Sequence, residues 1–151
     1  MAAKKSAAQP KVSRKATKAV KRAHAPLGKS AEDDKRRTRL VAIAESFPEA
    51  EVVRAGATHL SLTVRKKIFG YYTFNHHGDG QIALWCKAEP GVQGDLVAGD
   101  PVRYFVPPYL GSRGWVGIRL DIARVNWSEL TSLLRRSYQM TAPKALAARA
   151  I

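Results

Sequence analysis

A chain of 151 residues, 45% hydrophobic and 25% charged, has the size of one domain with a tail, and no apolar run approaches the roughly 18 residues that cross a bilayer as a helix. A net charge of +14 and an isoelectric point near 10.3 are unusual for a plain enzyme and point to polyanions, either nucleic acid or an anionic membrane surface. The single cysteine, Cys86, excludes an internal disulfide framework and a cysteine-rich zinc site, and fits a reducing, cytoplasmic compartment.

The charge is concentrated at one end: residues 1–39 carry a net +10 and residues 40–151 a net +4. Residues 1–30, MAAKKSAAQPKVSRKATKAVKRAHAPLGKS, hold nine Lys and Arg, no acid and almost no large apolar side chain, too little to bury for an ordered structure. They are expected to form a disordered tail of the linker-histone kind, in which Lys4, Lys5, Lys11, Arg14, Lys15, Lys18, Lys21 and Arg22 meet phosphates and release counterions without reading sequence. A solubilising extension or an organelle transit segment is the other reading. No apolar stretch follows the basic residues as it does in a secretory signal. Residues 31–151 form the folded domain.

Ser30 reads as the cap of a first helix, with acids in its first turn and Leu40, Val41, Ile43, Ala44 and Phe47 at helical spacing, ended by Pro48. Three strands are expected next: Leu60, Leu62 and Val64 alternate with polar residues, KKIFGYYTF is aromatic and β-prone, and QIALWCK alternates again. AEPGVQGDLVAGDP is at best a short helix opened near Pro90. VRYFV and WVGIRLD read as two more strands, separated by a loop with Pro107, Pro108, Gly111 and Gly114. Asn126 then caps a helix with Leu130, Leu133, Leu134, Tyr138 and Met140 near one stripe, followed by a proline break and a short final helix. This order is α+β: a twisted antiparallel sheet with helices packed on one face.

If Leu60, Leu62, Val64, Ile82, Leu84, Cys86, Val116, Ile118 and Leu120 face the helices, alternation sends Arg65, Lys67, Trp85, Lys87, Trp115 and Arg119 to the opposite side. With neighbouring Arg113, that face is expected to stack bases on its tryptophans and hold phosphates on its cations. The competing reading is tryptophans packed under a loop and an ordinary solvated sheet face. Cys86, on the inward set, reads as a small core residue.

The segment FNHHGDG joins two strands over a few residues, and Asn75, Gly78, Asp79 and Gly80 are turn formers, so it reads as a hairpin with His76 and His77 at its tip. Adjacent histidines on extended chain point to opposite sides, and no HxxxH, HExxH or cysteine pair completes a ligand set, so no metal and no cofactor are expected.

IFGYYTFNHHGDGQIALWCKAEPG, DPVRYFVPPYLGSRGWVGIRLD and NWSELTSLLRRSYQMTAPKAL together resemble the MmcQ/YjbR family of small bacterial proteins, over about residues 36–148. The resemblance implies a fold similar to CyaY, the bacterial frataxin, and lends a DNA-binding label. The iron handling that such a fold also suggests uses an acidic first helix, whereas Lys35, Arg36, Arg37 and Arg39 outnumber Asp33 and Asp34 here, and a basic helix repels a hard cation.

The reading is therefore a non-catalytic nucleic-acid-binding protein, DNA favoured, with a basic tail for non-specific affinity and a folded domain as second contact surface. The alternatives are a protein-interaction or regulatory module, or a small-ligand binder or enzyme using a cleft around Tyr104, Tyr109, Arg113 and Trp115.

Overall fold

The structure is a computed structural model that describes residues 31–56 and 58–151. The basic residues of segment 1–30 and the cap expected at Ser30 lie outside the described residues. The first helix, α1 (Ala31–Glu45), sets Glu32, Asp33 and Asp34 against its positive N-terminal end. It buries Leu40 and Ala44, and stops before Pro48 with Phe47 turned into the core.

Six antiparallel strands follow in the order β1-β2-β3-β4-β6-β5, where β1 is Ala50–Ala55, β2 His59–Val64, β3 Lys67–Phe74, β4 Ile82–Cys86, β5 Tyr104–Phe105 and β6 Val116–Arg119. The first of these was not expected. As an edge strand, β1 leaves Glu51, Val53 and Arg54 exposed, so its only pattern is the pair of β-branched valines Val52 and Val53. The expected VRYFV strand shrinks to two residues, with Val102 and Val106 exposed.

Val64 pairs with Lys67, leaving Arg65 and Lys66 as a two-residue turn with both φ angles positive, at 51° and 64°. This is the primed hairpin geometry that suits strand twist, here without glycine. Arg65 offsets the backbone strain with a two-pronged pair to Glu49, at 2.7 and 2.9 Å. Further along, Leu62 faces Gly70 while Thr63 faces Ile68, so Phe69 is an extra residue that bulges into the core.

One face of the sheet carries Leu60, Leu62, Val64, Tyr72, Ile82, Leu84, Cys86, Val116, Ile118 and Leu120, packed against the helices. Helix α2 (Val92–Gly99) sits by β5, α3 (Trp127–Thr141) crosses β3 and β4, and α4 (Lys144–Ala147) packs on α3. Asn126 caps α3 by accepting the Glu129 N–H at 3.1 Å, and Leu130, Leu134, Ser137 and Tyr138 are its buried stripe, each leucine contributing about 1.5–3 kcal/mol. Met140, expected near that stripe, is exposed. Close approach of α3 needs Gly70: a Cβ there would lie 3.0 Å from Leu62 Cδ1 and 3.3 Å from Leu134 Cδ1. Ser137 locks the contact, donating to Phe69 O at 2.5 Å and accepting from Lys87 N–H at 2.8 Å. The result is an α+β domain with an open six-stranded sheet.

Candidate functional site

On the face away from α1 and α3, the alternation holds but the exposure does not. Across four strands the register aligns Tyr71, Trp85, Gly117 and Phe105. Gly117 makes room for a ring, since a Cβ there would come within 2.3 Å of Phe105 Cζ. Pro107 is buried as the chain turns back, with Gly111 N–H donating to Pro107 O at 2.9 Å, and Leu110 joins Ile68, Tyr71 and Phe105 over a second small core of Ala83, Trp85 and Trp115. Trp85 is therefore 4% and Trp115 6% exposed, which corrects the expectation of an open stacking face. Local alternation reports the face, whereas cover by residues 107–114 depends on a fold-back that alternation does not encode.

The cations of that face divide in the same way. Arg119, 2% exposed, spends its fork on Asp121 at 2.9 and 3.1 Å, so an approaching phosphate meets a carboxylate already in place. Lys87 is half-buried, and burial first and Lys67 second hold its ammonium below the ordinary lysine range. Arg65 is exposed but engaged by Glu49, while Lys67 and Arg113 are exposed. The cleft expected around Tyr104, Tyr109, Arg113 and Trp115 does not form. Tyr104 pairs with Ile118 on the helix side and donates its hydroxyl to Glu129; burial first and that bond second push its phenol upward. Cys86 lies in the main core, where burial pushes its thiol up to about 12, so it is no nucleophile at neutral pH.

The histidines supply what the sequence reading missed. Asn75 and His77 adopt left-handed backbone, φ 51° and 50°, around a 3-10 turn at His76–Gly78. Asn75 Oδ1 accepts from Gly80 N–H and Asp79 Oδ1 from Gln81 N–H. The turn folds His76 back onto the sheet, its ring centre 4.8 Å from that of Trp85, 5.4 Å from His59 and 6.4 Å from Tyr109. Burial first, then the neighbouring His77 and His59, lower the His76 pKa. His59 accepts the Phe74 N–H through Nδ1 at 3.2 Å, which leaves its own proton on Nε2.

Two cavities meet at His76, Pro108 and Tyr109: one of about 370 Å³ bordered by His59, Tyr71, Thr73 and Trp85, the other of about 400 Å³ reaching Gln81, Phe105 and Arg119. Among the described residues, buried Trp85 Nε1 and Gln81 Oε1 have no hydrogen-bond partner. Adjacent His-His and a downstream Pro-Pro-Tyr were the only sequence signals for these walls. No group of three His, Cys, Asp or Glu that could hold a metal gathers among the described residues.

A third cavity, of about 380 Å³, lies between α1 and α3, lined by Arg39, Trp127, Ser128, Thr131, Ser132 and Arg135 among others. Arg39 stacks over Trp127 with its guanidinium carbon 4.7 Å from the ring centre, and Arg135 Nε is buried with no acceptor among the described residues. Arg36, by contrast, is structural, donating to Leu120 O at 2.7 Å beside Glu32 and Asp33. Neither Arg39 nor Arg135 stood out in the sequence as a site residue, because the helix-to-helix pairing that joins them is non-local. No helix among the described residues is long and apolar enough to cross a membrane.

No curated protein matches the chain significantly. Among solved structures, the crystal structure of Deinococcus radiodurans protein DR2400, described as carrying a DUF419 domain, is similar with a TM-score of 0.58 and 19% identity, over 69% of this chain and 76% of that one. That likeness establishes shared architecture. The model of the YjbR family matches residues 45–140, from the end of α1 through nearly all of α3, and the chain belongs to the YjbR family.

Proposed function

We propose that this YjbR-family protein binds nucleic acid, DNA foremost, along a basic track that begins in residues 1–30 and continues on α1 into the groove between α1 and α3. The observation that carries the reading is the groove itself. Arg39 and Arg135 converge there beside the hydroxyls of Ser128 and Ser132, one guanidinium preoriented by Trp127 and the other holding an unused buried N–H. Guanidinium forks and hydroxyls are the groups that bind phosphate oxygens, and an Arg restrained by stacking loses less freedom on binding. In the sequence, a segment with nine cations and no acid precedes α1, in which Lys35 and Arg37 follow the first-turn acids Glu32, Asp33 and Asp34.

This moves the domain's contact from the sheet to the helices. Trp85 and Trp115 are too deeply packed to form an open platform along which a strand could stack, and Arg119 is neutralised, so among the described residues the second face offers a polynucleotide backbone only Lys67 and Arg113 as exposed unengaged cations. In this reading the protein is non-catalytic, takes no metal or cofactor and works in the cytoplasm. An iron-handling role of the CyaY kind is disfavoured by the basic α1 surface. Anisotropy of labelled duplex DNA with the full chain tests the proposal. Saturable binding that weakens steeply with added salt supports it, and absence of binding at low salt overturns it.

A further inference from the structure

We propose that the paired cavities around His76 are a small-molecule site, separate from the basic groove, for a planar heteroaromatic ring that carries a carbonyl acceptor and an N–H donor at different points of its edge, as in oxopyrimidines and oxopurines.

The walls select a flat ring. Tyr71, Trp85, His76 and Tyr109 border a space of about 370 Å³, which matches one or two fused rings rather than a chain. His76 packs edge to face on Trp85 at 67° and stands at 72° to Tyr109, so the three rings form angled walls and not a parallel stack. Tyr109 is held for this purpose at some cost. Its φ of 66° is left-handed, where a bulky side chain is strained, and the ring is 77% exposed at the rim.

The polar atoms select the edge of the ring. Trp85 is buried, yet its Nε1–H has no acceptor among the described residues, and a buried indole N–H normally finds one. His59, which lines the same cavity as Trp85, carries a second donor, its Nε2–H, fixed by the Nδ1 bond to Phe74 N–H. Both call for a carbonyl. Gln81 Oε1, beyond His76 in the adjoining cavity, is a buried acceptor without a donor among the described residues. It calls for an N–H. Uracil and hypoxanthine carry a carbonyl on one part of the ring edge and an N–H on another, whereas a hydrocarbon ring satisfies neither. His76 adds a further ring to the walls, 4.8 Å from that of Trp85.

Such a ring could arrive free or as an unstacked base of a single strand, and the test separates the two. The indole N–H resonances of the full chain are followed by two-dimensional NMR during titration with uracil and hypoxanthine, Trp85 being assigned by its loss in Trp85→Phe. The expected result is a saturable downfield shift of the Trp85 indole proton while that of Trp127, in the basic groove, stays still. Tyr109→Ala, at an exposed rim position, should keep the folded spectrum and weaken binding at least tenfold. 1,3-Dimethyluracil, which keeps the carbonyls but lacks the N–H, should bind several-fold more weakly than uracil. A site for free heterocycles saturates with uracil as readily as with oligo(dT), while a base-reading site responds far more strongly to oligo(dT); either supports the assignment. No Trp85 shift with any of these ligands, or equal affinity in Tyr109→Ala, overturns it. Because the groove has its own Trp127 reporter, failure here leaves the DNA-binding proposal standing, and the reverse also holds.

Discussion

The guanidinium of Arg39 lies 4.7 Å over the ring of Trp127, tying the middle of α1 to the first residue of α3. The contact holds a cation on the protein surface without neutralising it, unlike the pairs of Arg65 with Glu49 and Arg136 with Glu89. A double-mutant cycle of Arg39→Ala and Trp127→Ala, read by chemical denaturation, should give a coupling of about 0.5–1 kcal/mol. Additive losses would show that the two side chains act independently.

The covered sheet face makes a strong claim about stability. Trp85→Ala and Trp115→Ala should each cost about 3–5 kcal/mol, the loss expected for a large buried ring. Gly117→Ala, which adds a single carbon, should cost about 1–3 kcal/mol because it meets Phe105 at 2.3 Å. Near-wild-type denaturation midpoints in the tryptophan variants would mean that the 107–114 loop does not cover them in solution.

Arg119 and Asp121 form a buried pair, so removing one partner should be far worse than removing both. Asp121→Ala should lose about 3–5 kcal/mol, and the double variant with Arg119→Met should regain most of it. Equal instability of single and double variants would instead locate the damage in packing.

Glu49 and Arg65 predict a pH dependence with a definite sign. The Arg65 hydrogen bond, ahead of its Coulombic attraction, lowers the Glu49 pKa. A carboxylate whose folded pKa is depressed stabilises the fold above its unfolded pKa and loses that contribution as pH falls through the folded value. NMR titration should therefore place the Glu49 midpoint below that of an ordinary glutamate, and Arg65→Gln should return it toward the usual range. An unchanged midpoint in Arg65→Gln would sink the pairing.

Much of this fold was legible because its signals are local. Leu60, Leu62 and Val64, the QIALWCK run and the Asn126 cap each state a period or a boundary within a few residues, and each appears in the structure. β1 escaped because an edge strand buries little and so shows no alternation. The candidate sites were less legible for a different reason. Trp85 and Trp115 sit on the side that period two assigns, but whether that side is wet depends on Pro107, Leu110 and the missing side chain of Gly117. His76 looked like a hairpin tip because FNHHGDG is turn chemistry, and the left-handed Asn75 that folds it against Trp85 is visible only in three dimensions. Arg39 and Arg135 are nearly a hundred residues apart, so no spacing rule joins them.

The salt dependence of duplex DNA affinity tests the central claim most directly, measured on the full chain, on Arg39→Ala with Arg135→Ala, and on a full-length variant with Lys4, Lys5, Lys11, Lys15, Lys18 and Lys21 changed to Gln. Each phosphate contact contributes about 0.9 to the slope of log affinity against log salt on duplex DNA. The account predicts a steep slope for the wild type, a slope shallower by about 2 for the two-arginine variant, and a larger drop for the lysine variant. Affinity and slope unchanged by the loss of Arg39 and Arg135 would contradict a nucleic-acid contact in the folded domain.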